Sequence, residues 1–560
     1  MDSNKNIIAA ISLSAAIIVL WALFFSPSPE DREKIKQKRI DSVKSLDAPE
    51  IENSQTNNLL SRKEALNKDK RIVFENDNVK GSINLKGGVI DDLLFKKYKK
   101  EIDKDEKVIL LNPKSTSGGY YVETGWVTSN KNIDLPNNES VWKISGNSQL
   151  TPTNDINIFW KNKQGLTFVK NISMDEKYLF NVNQTIKNNT NKTYSFYPYG
   201  QIIRTELPDT IDFFILHEGY IGVFDDQLVE KDYDDVIDKK YSINSDKGFL
   251  GITDKYWLTS LIPEKGKKFR ADFEYDKKLK ANFIETEALE LKPKSEMTNE
   301  IKVIVAAKEV RSIEGYKESL DISKFDLVID FGWFYWLVKG IWYLCDYFYK
   351  LTGNYGIAII LVTICFRLIF FPLNNYAFKS MSRMKLVQPE LLRLKELHKD
   401  DKMKLQQAMM QLYKKEGVNP VSGCLPIMLS LPFFFGIYKM LFVTIEMRMQ
   451  PFYGYLVDLS EKDPLSFVNL FGLLPFSPPE FLIIGPLPII MGIFMYLQQR
   501  INPAPQEKIQ QQLFAWFPVV IVFILAPFPS GLVLYWTCNS IFGIAQQYYI
   551  MSRTKVKTAS

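Results

Sequence analysis

The sequence predicts a polytopic α-helical membrane protein with six spans, carrying one large all-β sandwich domain outside the bilayer. Three observations lead there. Apolar residues gather in one N-terminal run and in long blocks beyond Phe331, so the mean hydropathy of −0.12 averages over two different solvents. Between Ser26 and about Asp330 the chain is rich in Lys, Asn, Asp, Ile and Tyr, and stretches of it alternate apolar with polar residues. All four cysteines, Cys345, Cys365, Cys424 and Cys538, fall in the apolar half, so the soluble part has no disulfide and must be held by packing. A length of 560 residues exceeds a single core. The net charge of +6 is mild for this length and argues against a dedicated nucleic-acid binder. His217 and His398 are the only histidines, too few for a histidine metal site or a His-based acid–base centre.

Residues 1–25 contain the run Ile7 to Phe25, 19 residues, about the length that crosses a ~30 Å hydrocarbon core. It ends in Phe24-Phe25-Ser26-Pro27 rather than a small-x-small cleavage signal, which favours a retained transmembrane anchor over a signal peptide. Residues 26–70 read as a polar linker. Residues 71–330 read as the sandwich: Phe180, Val182 and Ile186 alternate with polar neighbours, then a polar turn, NNTNK, leads to a second aromatic run. Trp126 and Trp160 could face a carbohydrate or peptide, but single aromatics in strands are more often core, and no site is assigned there.

Residues 331–354 predict an amphipathic helix lying in the membrane interface, with apolar positions 334, 337, 338, 341, 344, 345 and 348 at helical spacing. Lys339, Asp346 and Lys350 share another face, and Trp333, Trp336, Trp342, Tyr343 and Tyr347 are the interfacial anchors. Residues 355–550 hold five further spans. They are Tyr355 to Leu373, Gly423 to Ile445 with Pro426 and Pro432 inside, Phe481 to Leu497, and two helices within Leu513 to Tyr549 broken near Pro527, Pro529 and Gly531. The Lys379 to Glu416 loop carries ten basic against five acidic residues, and the Glu446 to Glu480 loop two against five. Positive charge marks the cytoplasmic side, so both termini are cytoplasmic, including a basic tail at 551–560, and the sandwich lies in the periplasm of a cell with two membranes.

Arg367 sits inside the second span, where a bare charge costs about 2.5–3.5 kcal/mol. It either snorkels to the headgroups or lines a wet cavity. Thr363 one turn away, Ser430 in the third span, and Asn539, Gln546 and Gln547 in the last supply further polar groups, although hydroxyls can also bond their own helix. Within the 379–416 loop, Leu391, Leu394 and Leu397 precede a turn and Leu405, Met409 and Leu412 follow it, the pattern of an αα-hairpin. Met403, Met409 and Met410 offer adaptable apolar surface for greasy ligands, or ordinary hairpin core.

NPVSGCLP from Asn419 to Pro426, PIMLSLPFFFGIYKML after it, FPSGLVLYW from Phe528 to Trp536, the LS..DP stretch from Leu459 to Pro464 and QPELLRLKE resemble signature segments of the YidC family. The resemblance covers about Trp333 to Tyr549 closely. For the exported domain it rests on size and position, as in the Gram-negative branch with a large periplasmic domain. It implies a non-enzymatic membrane protein insertase and chaperone that assists insertion, folding and assembly of inner-membrane proteins, alone or with the Sec translocon, through a hydrophilic, positively charged groove. It makes Arg367 the groove arginine and Thr363 and Trp536 groove-lining positions, Trp536 standing where many relatives have Tyr. Ser430 stands where Gln is common, Asn539 joins the same groove, and the third span around Pro432 and Phe433 contacts substrate. The implied partners are nascent membrane proteins, SecYEG, the ribosome, the signal-recognition pathway and membrane lipids, with no cofactor and no small-molecule substrate. An arginine among proline-broken helices also fits a secondary transporter, for which inverted repeats would speak, and none is found. An anchored periplasmic carbohydrate-binding protein would leave five spans unexplained.

Overall fold

A computed structural model describes residues 59–553 except 103, 131, 211–215, 400, 418–424, 477, 480–481 and 503–507. The anchor at 1–25, most of the linker, most of the NPVSGCLP segment and tail residues 554–560 lie outside the described residues. The chain divides into two compact units, the first ending at Ile329 and the second beginning at Asp330.

The first unit is a β-sandwich of an eleven-stranded and a nine-stranded sheet. Strand Leu179–Asn188 lies between Leu166–Met174 and Glu296–Ala307, antiparallel to both, and its strict alternation buries Phe180, Val182, Gln184 and Ile186. The NNTNK turn that follows carries the chain from one sheet into the other. Strand Tyr194–Arg204 pairs with Tyr120–Val127 and Leu279–Glu285 in the opposite sheet. Aromatic rings from the two inner faces meet between the layers: Phe74 on Phe180 with centroids 5.0 Å apart, Phe168 on Phe196 at 6.2 Å, and Phe95 stacked on Trp257 at 4.7 Å. Trp126 is core, edge-on to Phe196, and Trp160 is half-buried against Phe168.

Among the described residues three α-helices flank the sheets: α1 (Arg62–Lys68), α2 (Tyr233–Asp238) and α3 (Val310–Ser319). Helix α1 falls within the stretch expected to be linker. Ser61 and Glu64 form a reciprocal capping box that starts it, and Arg62 forms an ion pair with Asp92 of the sandwich.

The second unit is helical: α4 (Tyr335–Thr352), α5 (Tyr355–Ile369), α6 (Phe371–Leu397), α7 (Lys402–Lys415), α8 (Leu425–Val443), α9 (Pro486–Ile501), α10 (Lys508–Leu525) and α11 (Ser530–Arg553). Among the described residues no single helix is long and apolar enough to cross a membrane. The pair α5 and α6 passes together, but bends by 67° at their junction. The expected straight span to Leu373 therefore stops at Ile369, because Pro372 has no N–H to continue the ladder to Leu368. Helix α9 likewise starts at Pro486, not Phe481, since Gly485 is its N-cap and Pro486 fits its first turn.

Helix α4 keeps its amphipathic character with two corrections. Trp342, expected at the interface, is buried with Val338, Ile341 and Cys345, and Asp346, expected on the polar face, is buried with its carboxylate 2.9 Å from Lys350. The exposed aromatics of this stretch are Trp333, Trp336, Tyr343 and Tyr347, together with Phe334 of the apolar series, which lies at the helix N-cap. Just before α4, Asp330 accepts a 3.0 Å bond from Lys439 of α8.

Candidate functional site

Helix α5 begins where Asn354 accepts the Ile357 amide at 3.1 Å and ends one residue short of the bend, which puts Arg367 in its last turn. There the helix's exposed carbonyls favour a cation. The guanidinium reaches sideways to α11. Nε donates to Asn539 Oδ1 at 2.9 Å, Nη1 to Gln546 Oε1 at 3.2 Å, and Nη2 to the Asn539 carbonyl. Asn539, Gly543 and Gln546 recur at spacings that share one helix face. Gly543 is what lets the groups meet: a Cβ there would lie 2.8 Å from Arg367 Nη2 and 2.7 Å from Gln498 Nε2 of α9. Close by, buried Gln547 donates to Asn502 Oδ1 at 2.8 Å, tying α11 to the end of α9.

All of Arg367's hydrogen-bond partners are neutral, and among the described residues no carboxylate pairs with it. Gln546 Nε2 and Gln547 Oε1 are buried without a protein partner, which marks the cluster as a place that water or a polar chain would satisfy.

An aromatic wall stands beside this polar cluster. Phe433 of α8 packs on Phe366 at 4.5 Å and on Phe370 at 5.0 Å, and Phe434 meets Trp536 edge-on at 4.7 Å. Trp536 lies one turn before Asn539, so wall and cluster share α11. Thr363 is buried and its hydroxyl donates to the Ile359 carbonyl at 2.7 Å, bonding its own helix. Ser430 and Pro432 are partly exposed on α8. The hairpin methionines divide: Met409 packs with Leu412 and Tyr413 against Val387 and Leu391, whereas Met403 and Met410 are exposed. The sequence marks Gln498 only as a polar residue that ends the Phe481 to Leu497 block, and it does not single out Gly543. The spacing of Gly543 between Asn539 and Gln546 was the signal that could have found it.

The amino-terminal and carboxyl-terminal halves match different family descriptions: residues 71–344 the YidC periplasmic domain and residues 347–558 the 60Kd inner membrane protein. The membrane protein insertase YidC of Pelagibacter ubique is 54% identical over 560 residues, covering 100% of each chain. The chain belongs to the YidC family of membrane protein insertases. The YidC of Rickettsia bellii is 42% identical, covering 98% of this chain and 99% of its own. A crystal structure of an active YidC insertase with its first transmembrane domain resolved matches at 18% identity and a TM-score of 0.37, over 86% of this chain and 93% of that one. The matched descriptions, an inner membrane protein and a periplasmic domain, agree with a protein of the inner membrane.

Proposed function

We propose that this YidC family chain inserts integral inner-membrane proteins and assists their folding and assembly, alone or beside the SecYEG translocon, by admitting polar segments of a nascent chain to the groove around Arg367. The observation that carries the reading is the neutral ring of Asn539 and Gln546 about the guanidinium: the side chain is fixed while its charge stays uncancelled. In a poorly screened cavity such a charge attracts an acidic or polar tail over several ångströms. The aromatic wall of Phe433, Phe434 and Trp536 offers the apolar part of the same segment a surface to slide along. Thr363, Ser430 and Pro432 complete the lining.

In this reading six spans carry the chain across the membrane with both termini in the cytoplasm and the sandwich in the periplasm. The α6–α7 hairpin, with Met403 and Met410 outward, meets the ribosome or the signal-recognition pathway. The machine works by binding and lipid contact, without cofactor or small-molecule substrate. Family membership at this identity favours insertion over the transporter reading.

Reconstituted vesicles inserting one acidic-tailed and one neutral-tailed substrate test it. Arg367→Ala should lose most insertion of the acidic-tailed substrate and Arg367→Lys should keep much of it, because attraction needs a cation and bidentate recognition needs the guanidinium fork. Equal losses on both substrates would refute charge attraction.

A further inference from the structure

The stretch between α8 and α9 holds a second set of buried polar groups, away from Arg367. Asp463 is almost wholly inside the protein, as are Asp458, Ser460 and Ser530. Asp463 Oδ1 accepts the Leu465 amide at 3.1 Å, and Oδ2 accepts both the Tyr455 hydroxyl at 3.0 Å and the Leu487 amide at 3.1 Å. Leu487 belongs to the first turn of α9, where Pro486 and Pro488 have no N–H to offer. The unmatched donor of that turn is thus met by a carboxylate from outside the helix, which also suits the positive end of its dipole. Contact is tight, for a Cβ on Gly485 would fall 2.0 Å from the Asp463 carboxyl carbon.

The same segment also holds the start of α11. The Ser530 amide donates to the Glu461 carbonyl at 2.7 Å, the Gly531 amide to the Leu459 carbonyl at 2.9 Å, and the Ser530 hydroxyl to the Asp458 carbonyl at 2.9 Å. Six residues, Asp458 to Asp463, therefore cap α9 with a side chain and α11 with main chain. Farther along the same two helices, Gln547 bonds Asn502, and Gln498 and Arg367 both lie close against Gly543.

We propose that the Asp458–Asp463 segment is a clip that sets the spacing of α9 and α11, and that Asp463 is a positioning residue acting on the Arg367 cluster through those helices. Removing the carboxylate, or pushing it aside with a methyl group on Gly485, frees the α9 terminus to drift, and Gln498 then no longer rests against Gly543 beside Arg367. The functional part of the inference rests on the reading of that cluster as the working groove. The helix spacing tests the clip itself whether or not that reading holds.

The experiment uses the full-length chain in proteoliposomes, its four cysteines replaced, with spin labels at Ile493 of α9 and Tyr548 of α11, both exposed positions. Asp463→Ala and Gly485→Ala should each broaden the label distance and lower insertion per accumulated molecule roughly fivefold, the equilibrium worth of about one helix cap. The double variant should be no worse than the poorer single one, because both remove the same contact. Asp463→Asn keeps one oxygen to accept from the Leu487 amide and the Tyr455 hydroxyl but turns its NH2 towards the Leu465 amide, so its distance and insertion should fall between those of the parent and of Asp463→Ala. An unchanged distance in both single variants, or losses that multiply in the double one, would overturn the clip. Should Asp463→Ala fail to accumulate, Gly485→Ala and Asp463→Asn decide it by the same two readouts.

Discussion

Arg204 in the exported sandwich and Arg367 in the helical unit are both drawn into the protein, and the chain treats them in opposite ways. Arg204 lies over the Tyr120 ring and donates to Asp254 at 2.8 Å, both side chains less than a fifth exposed. Arg71 with Asp91, in the same domain, repeats that solution. Arg367 receives amides instead. A paired charge inside a sandwich is spent on holding the fold, whereas a charge held by neutral acceptors keeps its field for something else. The two arginines thus differ in whether a counter-charge meets them, and the proposed role of Arg367 rests on that difference.

The largest expected effect comes from exchanging the two losses. Arg204→Met should cost the sandwich about 3–5 kcal/mol, because Asp254 is left with no counter-charge, while insertion per folded molecule is unchanged. Arg367→Met should cost about 1–2 kcal/mol, the worth of its hydrogen bonds, and most of the insertion of acidic-tailed substrates. Denaturant titration of the full-length protein in micelles, followed by near-UV circular dichroism, reads the first quantity, and vesicle insertion the second. If Arg204→Met impaired insertion at full occupancy of the folded state, the contrast between the arginines would fail.

Next in size is Gly543→Val. Its side chain must displace Arg367 or Gln498, at about 1–3 kcal/mol of overpacking, so insertion should fall towards that of Arg367→Ala while the sandwich is untouched. A fully active Gly543→Val would mean that Arg367 need not rest on α11 to work.

What could be read in the sequence followed the same division. Alternation around Phe180 announced a strand because one face of a sandwich is buried and the other is not, and the apolar blocks announced helices for a comparable reason. Arg367 and Asn539 stood out because polarity is costly among apolar neighbours. The bend at Phe370 is not legible because Leu368 to Phe371 is uniformly apolar and Pro372 alone marks the break. Trp342 was misplaced since periodicity gives a helix face but not which neighbour covers it. Gly543 carried no polarity at all, and its role exists only where Arg367 and Gln498 converge from other helices. Asp463 was visible merely as part of the LS..DP stretch, its partner Leu487 being set by the fold.

A smaller effect sharpens the sandwich side of the comparison. Burial pushes the Glu285 carboxyl up to about 7, against the opposing bond from Asn299, which also donates to Glu264 at 2.8 Å. A carboxyl whose folded value is raised contributes stability that is fully present below its ordinary value of 4.5 and is lost as pH rises through about 7. The sandwich should therefore weaken across that window, and Glu285→Gln should flatten the profile and leave the protein more stable than the parent at pH ~8. A profile equally steep in the variant would assign the titration elsewhere.

The smallest effect concerns the hairpin. Met409→Ala should loosen α6 against α7 by about 1–2 kcal/mol, below the ~2–5 kcal/mol of a fully buried methionine because Met409 is only partly buried, seen as faster amide exchange over 387–413. Met403→Ser and Met410→Ser should leave exchange unchanged and alter only contacts with partners. Faster exchange in the outward pair would show that those side chains are packed.

The central claim is that a substrate's polar segment meets Arg367's neutral ring and the aromatic wall beside it, and stalled nascent chains test it most directly. Photocrosslinkers placed singly at Ser430, Phe433 and Trp536, and for comparison at Trp516 and Val520 on the exposed side of α10, are illuminated with a ribosome-bound membrane protein in place. Adducts at the first three positions that weaken in Arg367→Ala are the predicted result. Adducts of equal strength at α10, or adducts at Trp536 indifferent to the loss of Arg367, would contradict it.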